Sequence, residues 1–396
     1  MSVPLLLEIR YRLPQMGKSD PFPLRALLRS RVQVMGLALA VACAAPPGVA
    51  LAQGPDLPTG RQPLPPEDLE HICFSEGDFL VVPIPFRNAL VGNGLALGGG
   101  YLFTSDEGSS PSFFGVGGFK TQNGSKGLGG GLNLSLDDNR WQIGFYGAEA
   151  EVNYDFPVGP VDLPFHQTGR LAALNAAYGV TEKLSFGVSV RHLDTELSVD
   201  GGELPRQFQL DADLEIFSYG LTADWDRRDD TIYPTDGFHL AAAAYQGDKS
   251  GSASGSYRKA TVLYGLYHAL GPSNVVAAQL AGCAASPEAP FFDSCSLGGT
   301  DSFRGYSPAE YIGDRLTSVQ VALRTRLSRR FGLVMFAGTG SVVRQFDNLG
   351  SGDWHSAAGI GGRIRLSKSY PLDYSIDVSW NDEHEEILYL YVGQRF

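Results

Sequence analysis

Apolar and polar residues alternate with a period of two along most of the chain after residue 78. Residues 183–191 place Leu, Phe and Val on one face and Ser or Gly on the other, and residues 373–380 alternate Tyr, Ile, Val and Trp with Asp and Ser. Residues 319–327 alternate Val and Leu with Gln and Arg. This period indicates β-strands that have an apolar outer face and a polar inner face.

The alternating segments predict an all-β chain that forms a transmembrane antiparallel β-barrel of sixteen strands. From the fourth segment onward tight turns alternate with longer polar loops, as expected if the turns are periplasmic and the loops extracellular. Pro83 and Pro85 interrupt the first segment, and fourteen strands remain an alternative. The predicted strands are residues 79–87, 94–104, 111–122, 127–137, 140–154, 168–180, 183–197, 213–226, 238–246, 257–268, 274–283, 315–328, 331–344, 355–367, 372–380 and 387–396.

Composition agrees with a barrel and excludes some partners. The chain has 49 glycines among 396 residues, whereas the average glycine content is roughly 7%, and it is rich in Phe and Tyr. A soluble sandwich or a lipocalin-like barrel also alternates, but charges inside long strands and the number of strands oppose both. The formal net charge of −12 argues against nucleic acid as a partner.

The N-terminal region predicts export. Arginines precede the apolar run 34–45, and Ala50-Leu51-Ala52 has the small-x-small form of a leader-peptidase site. We therefore interpret residues 1–52 as a signal peptide with an extended N-terminus, in which Met16 is a candidate initiator. Residues 53–78 are rich in Pro, Asp and Glu, and we expect a disordered periplasmic lead-in before a barrel domain at 79–396.

The last segment has the pattern of an outer-membrane assembly signal. Leu388, Leu390, Val392 and Phe396 share one face of the terminal strand, and the final residue is aromatic. Together with the signal peptide, this pattern predicts a bacterial outer-membrane protein that meets the barrel assembly machinery during biogenesis. Outer-membrane lipid, either lipopolysaccharide or phospholipid, is then a partner, and we expect a monomer.

Other candidate chemistry is limited. Export implies an oxidising compartment, so Cys283 and Cys295 are predicted to form a disulfide, while Cys73 is left over. The segment GSASG centres on Ala253 and therefore lacks the serine of a nucleophile elbow. The histidines show no ligand spacing, and no Ser/His/acid set can be assembled. We predict no enzyme activity, no cofactor and no metal site.

Two segments contain motifs that are more specific than the general pattern of a β-barrel. Residues 224–240, DWDRRDDTIYPTDGFHL, end one strand, cross a turn and begin the next. Its central YPTDG consists of Tyr233, Pro234, Thr235, Asp236 and Gly237, where proline presets φ and Asp-Gly permits a tight reversal. Residues 298–306, GGTDSFRGY, lie in the longest predicted loop. The residues of interest in this loop are Gly298, Gly299, Phe303, Arg304, Gly305 and Tyr306.

These segments resemble the periplasmic-turn and sixth-extracellular-loop motifs of the BamA/TamA family of outer-membrane barrels, also called bacterial surface antigens. The resemblance implies that the long loop folds back into the lumen, where Arg304 contacts acidic groups on the inner wall. An isolated lumen guanidinium would be costly, so a carboxylate partner is expected. The usual acidic positions are here Arg324 and Gly338-Thr339-Gly340, and Asp377, Asp373 or Asp224 could substitute.

The resemblance also implies a function. Family members assist insertion or translocation of proteins or lipids at the outer membrane, so client proteins are expected partners. Residues 53–78 leave no room for the POTRA domains that inserting members carry. The first hypothesis is therefore a POTRA-less barrel of this type, and the alternative is a passive or plugged pore or a structural surface barrel.

Overall fold

The computed structural model describes most of the chain after residue 77. The predicted signal peptide, most of the lead-in, Gly299 and Phe396 lie outside the described residues. Among the residues that are described, no helix is long and apolar enough to cross a membrane. The described ranges are 78–88, 91–103, 105, 109, 112–158, 161–199, 202, 209, 212–230, 233–298, 303–307, 310–343, 352–365 and 373–394.

The fold is one antiparallel sheet of sixteen strands in near-sequential order, which confirms the predicted strand number. A separate two-stranded sheet pairs β12 with β13. The strands are β1 Asp78–Asn88, β2 Gly92–Phe103, β3 Ser112–Thr121, β4 Lys126–Leu136, β5 Trp141–Val158, β6 Val161–Thr181, β7 Leu184–Val199, β8 Asp213–Asp226, β9 Gly237–Gly251, β10 Gly255–Ala269, β11 Asn274–Ala285, β12 Cys295–Leu297, β13 Tyr311–Gly313, β14 Arg315–Arg326, β15 Phe331–Val343, β16 His355–Arg365, β17 Asp373–Asn381 and β18 Glu386–Val392.

The sheet curls until its first and last strands lie side by side. Its order nevertheless begins at β1 and ends at β18, and no backbone ladder joins these two strands within the described part of the chain. The hydroxyl of Tyr374 on β17 donates to the backbone oxygen of Pro85 on β1 at 3.1 Å. We call the junction between β1 and β18 the seam.

The two faces of the sheet differ as the alternation predicts. Large apolar side chains are exposed on the outer face, for example Phe186, Val188 and Leu221 at 51%, 53% and 67% exposure. Their neighbours Ser185 and Ser189 are buried on the inner face. An exposed apolar band around buried polar residues is the arrangement of a barrel that faces lipid outside and a polar lumen inside.

The strand alternation predicts residues 156–167 and 247–256 as polar loops between strands. That prediction was wrong, because the hairpins β5–β6 and β9–β10 continue through both segments. Beyond the apolar band the alternation is reversed: Leu193 and Leu197 on β7 are buried, while Asp194 and Glu196 are exposed. These extensions enclose an apolar cluster and carry exposed polar residues on their outer face. The predicted last strand also ends earlier, at Val392.

The connections define two ends of the barrel. The turns β4–β5, β6–β7, β10–β11 and β14–β15 lie at one end, which we call the short-turn end. The β11–β14 connection and the extended hairpins lie at the other end, which we call the long-loop end. The first and last strands begin and end at the short-turn end.

Candidate functional site

The β11–β14 connection contains most of the candidate residues, and we call residues 286–314 the lumen loop. It includes a 3₁₀ helix, Phe291–Asp293, followed by β12 and β13, which pair antiparallel. Cys283 at the end of β11 and Cys295 in β12 are joined by a disulfide with an S–S distance of 2.01 Å. The disulfide therefore ties the first half of the loop to the barrel wall.

Arg304 lies at the tip of the lumen loop and is completely buried. Its Nη1 lies 2.8 Å from Oδ2 of Asp377 on β17, and its Nε donates to Oε1 of Gln320 on β14 at 2.9 Å. The guanidinium carbon lies 3.7 Å from the ring centroid of Phe336 on β15. The side chain is thus held by three strands of the inner wall, through an ion pair, a hydrogen bond and a cation–π contact.

Asp377 is shared among several partners. It is fully buried and forms an ion pair with Arg363 of β16 in addition to Arg304. The hydroxyl of Tyr391 on β18 donates to its Oδ2 at 2.8 Å. A buried carboxylate between two guanidiniums and a phenol is well compensated, which offsets the cost of removing it from water.

The other two acids proposed for Arg304 have different partners, both at the short-turn end. Asp373 accepts from Nε of Arg365 at 2.5 Å. Asp224 lies 2.7 Å from Nε2 of His239. Of the three candidate acids, the structure brings only Asp377 to Arg304.

The residues beside Arg304 fix the backbone of the tip. The amide of Gly305 donates to the hydroxyl of Tyr389 on β18 at 2.9 Å, and the side-chain amide of Asn381 donates to the Gly305 carbonyl at 3.1 Å. Gly305 has φ +134°, and a Cβ there would lie 2.1 Å from Cβ of Ala357. Glycine is therefore required both by the backbone conformation and by the closeness of the wall.

The aromatic residues of the tip pack together and reach the rim. Phe303 and Tyr306 are buried with ring centroids 6.0 Å apart. The hydroxyl of Tyr306 donates to the backbone oxygen of Ser356 at 3.0 Å. Gly298, at φ +104°, would place a Cβ 2.5 Å from the Tyr306 carbonyl. The start and the tip of the motif are therefore in contact.

A second buried ion cluster holds the earlier part of the loop. Asp293 accepts from Nη2 of Arg191 on β7 at 2.7 Å and from Nζ of Lys259 on β10 at 3.1 Å. The hydroxyl of Tyr245 on β9 also donates to it at 2.9 Å. Phe292 packs beside it into the apolar cluster of the extended hairpins. The loop is therefore attached to two sides of the lumen. Arg304 holds its tip to one side, and the Asp293 carboxylate holds its earlier part to the other.

Sequence reasoning missed this second cluster and most of the wall residues around Arg304. Asp293 carries no motif, although Arg191 and Lys259 occupy inward positions of alternating strands and could have indicated a need for an acid. Gln320 was visible as an inward polar residue on the strand after the loop. Nothing in a one-dimensional pattern indicates Tyr389 or Phe336.

The YPTDG motif lies in the β8–β9 connection at the short-turn end. Asp229 accepts from the amides of Thr235 at 2.8 Å and Asp236 at 3.0 Å, which shapes the turn. Gly237 has φ +100°, and a Cβ there would lie 2.1 Å from the Arg227 carbonyl. Pro234 is buried, and its carbonyl accepts from Nη2 of Arg324 on β14. The motif thus folds against the inner wall.

An acidic group forms where the lumen loop meets the β17–β18 turn. Carboxylate oxygens of Glu310, Glu383 and Glu385 lie within 4.8 Å of one another. Burial, followed by the charge of Glu385, raises the pKa of Glu310 to about 7. The Glu310 carboxyl therefore titrates in the physiological range. The three glutamates are the closest approach to a metal-type donor set within the described residues.

Together these observations define a membrane-spanning β-barrel whose lumen is occupied by its own anchored loop. The model of the Omp85 superfamily domain matches residues 129–396. The chain therefore belongs to the Omp85 superfamily, and the resemblance to BamA/TamA-type barrels is confirmed at this level. It is an outer-membrane β-barrel.

Solved structures share the fold. BamA from Haemophilus ducreyi lacking POTRA domains 1–3 matches with a TM-score of 0.55 and 14% identity, over 80% of this chain and 69% of that chain. CdiB from Acinetobacter baumannii matches with a TM-score of 0.55 and 13% identity, over 80% and 59%. CdiB from Escherichia coli matches with a TM-score of 0.55 and 14% identity, over 81% of this chain and 62% of that chain. The chain thus spans less than two thirds of the CdiB proteins. No curated protein sequence matches it.

Proposed function

We propose that the chain assists insertion or translocation of client proteins, or of lipids, at the outer membrane. The route is lateral opening of the seam between β1 and β18, and the lumen loop regulates that opening. The observation that carries the proposal is the seam itself, where the sheet order of the described strands stops without a ladder.

The composition of the two seam strands supports this route. β1 contains Pro83 and Pro85, which have no amide hydrogen and cannot donate to a neighbouring strand. β18 has only 7 residues and β1 has 11, so several positions of β1 have no counterpart in the described part of β18. Opening the seam therefore breaks fewer hydrogen bonds than opening any ladder elsewhere in the sheet.

The lumen loop is positioned to sense the seam. Tyr389 and Tyr391 of β18 contact Gly305 and Asp377 of the Arg304 site. Movement of β18 thus disturbs the same contacts that hold the loop tip. This connection supports a role for the loop in controlling the seam.

Cysteine cross-linking of the seam tests the proposal. In a Cys73→Ser background, cysteine pairs would join residues 81–85 of β1 to residues 387–391 of β18. A control pair, Val188→Cys with Leu221→Cys, joins facing residues of the β7–β8 ladder far from the seam. The readout is the rate at which a urea-unfolded eight-stranded barrel inserts into liposomes that contain the protein.

We expect the protein to accelerate insertion, the seam cross-link to abolish the acceleration and the control cross-link to preserve it. Equal acceleration with a closed seam would refute lateral opening, and no acceleration at all would refute the insertion function.

The second candidate is a plugged pore, which the two buried ion clusters of the lumen loop favour. In planar bilayers a plugged pore would conduct steadily after Arg304→Ala and little before it. An insertase with a seam route would show no steady conductance that depends on this residue alone.

A further inference from the structure

A cleft at the short-turn end has a strongly basic lining. It lies between the β14–β15 turn, the ends of β16 and β17 and Tyr233 of the YPTDG motif, and it is narrow and open to solvent. Its arginines are Arg324, Arg326, Arg329, Arg330, Arg363 and Arg365, and Asp373 is the only carboxylate among the described residues that line it. This is a local excess of positive charge in a chain whose net charge is −12.

Two of these arginines are neutralised by neighbouring acids, and four are not. Arg363 forms an ion pair with Asp377, and Arg365 forms one with Asp373. Within the described part of the chain, no carboxylate forms an ion pair with the other four, which are Arg324, Arg326, Arg329 and Arg330. Like charges that line one cleft repel one another, and an anion bound between them would relieve that repulsion.

Arg324 makes the need for an anion most evident. The side chain is 1% exposed, and its Nη2 donates to the Pro234 carbonyl. Its faces contact the rings of Tyr233 and Tyr267, with the guanidinium carbon 4.8 Å and 5.4 Å from the two centroids. Nε and Nη1 are buried and have no acceptor among the described residues. Asp229 acts on this guanidinium only as a more distant charge, and a buried guanidinium with unused donors and no ion pair is costly.

Three arginine side chains lie around the ring of Tyr233 on one side of the cleft. The guanidinium carbons of Arg324, Arg326 and Arg365 lie 4.8, 4.7 and 5.8 Å from its ring centroid. The ring attracts each cation without neutralising it. Tyr233 therefore holds several guanidinium groups together, and among the described residues no carboxylate pairs with those of Arg324 and Arg326.

We propose that this cleft binds a phosphate group. Arginine forks match the geometry of phosphate oxygens, and a compact tetrahedral anion suits the narrow space between Arg324 and the rim arginines Arg329 and Arg330. The rim is flanked by the exposed apolar residues Leu327 and Phe331, at 65% and 56% exposure. Such flanks lie at the level of lipid headgroups, so the phosphate belongs either to a phospholipid or to a free anion.

The test uses the full barrel in a zwitterionic detergent. One arm titrates inorganic phosphate at constant ionic strength and measures binding by calorimetry. The other arm measures retention of phosphatidylglycerol and of diacylglycerol, which lacks phosphate, by native mass spectrometry. Lipid retention that free phosphate does not displace assigns the headgroup as the source, whereas displacement shows that the phosphate alone is sufficient; either result supports the proposal.

The variants separate the cleft from general surface charge. We expect Arg324→Gln to weaken binding roughly tenfold or more, as does loss of a charge-assisted hydrogen bond elsewhere. The double variant Arg329→Ser/Arg330→Ser, at two exposed positions, should weaken phosphate binding similarly. It tests the proposal if Arg324→Gln does not fold. Arg140→Ser, in the β4–β5 turn at the same end, is the control. Absence of binding in both arms, or cleft variants that bind like the control, would overturn the proposal.

Discussion

Replacing Arg304 by methionine tests whether the buried ion pair holds the loop tip in the lumen. The substitution keeps much of the side-chain volume but removes the contact to Asp377, the hydrogen bond to Gln320 and the cation–π contact to Phe336. Breaking a buried ion pair costs about 3–5 kcal/mol. Since Asp377 keeps Arg363 and Tyr391, the cost lies near the lower end of that range.

The reverse substitution, Asp377→Asn, should cost more, because it leaves Arg304 and Arg363 facing each other across a neutral amide. Local opening of the tip exposes the amide of Gly305, which is bonded to Tyr389. Hydrogen–deuterium exchange at residues 303–307 should therefore accelerate by roughly 100-fold in Arg304→Met and by more in Asp377→Asn.

The matched control is Asp373→Asn, the same substitution on the same strand and the same face, where the carboxylate serves Arg365 at the short-turn end. It should leave exchange at residues 303–307 unchanged. Unchanged exchange in Arg304→Met, or a smaller effect of Asp377→Asn than of Arg304→Met, would refute the reasoning.

Three further predictions concern the same loop. Gly305→Ala should release the tip because its Cβ meets Cβ of Ala357 at 2.1 Å, and Ala357→Gly should partly restore docking, as read by exchange. Asp293→Asn should raise exchange around residues 291–297 but not at the tip, because it leaves two cations of the second cluster unpaired. Because the pKa of Glu310 is raised to about 7 from 4.5, the docked loop should lose stability as pH rises between these values, and Glu310→Gln should flatten that dependence.

Each of these predictions has a contradicting result. Docking that Ala357→Gly does not improve would mean that the positive φ of Gly305, and not the contact, dominates. Equal exchange at both loop segments in Asp293→Asn would mean that the loop moves as one unit. A pH dependence that persists in Glu310→Gln would assign the titration to another group.

The strands could be predicted because a membrane barrel imposes a strict alternation on its sequence. Where β5 and β6 leave the apolar band, the outer face becomes polar, and residues such as Asp155 resemble a loop. The alternation there continues with its faces exchanged, since Tyr154 and Phe165 are buried. A reversal of faces within one continuous strand explains why these hairpins were predicted too short.

The site was predictable only as far as its motif extends. Arg304 was identified from the loop sequence, but its partner depended on depth within the lumen, which a sequence pattern does not contain. Asp377 and Asp373 both point inward from β17, and only Asp377 lies at the level of Gln320, where the tip ends. The second cluster has no motif, so its discovery required the structure.

The lumen loop presents a carboxylate to cations on one side of the bore and a guanidinium to a carboxylate on the other. Threaded in the opposite sense, each ion would meet its own sign in a poorly solvated space, which would be strongly unfavourable. The charges of Asp293 and Arg304 therefore favour one orientation of the lumen loop over the other. A related protein in which one of these two loop residues had the opposite charge would therefore need the opposite charges on the wall residues that contact it.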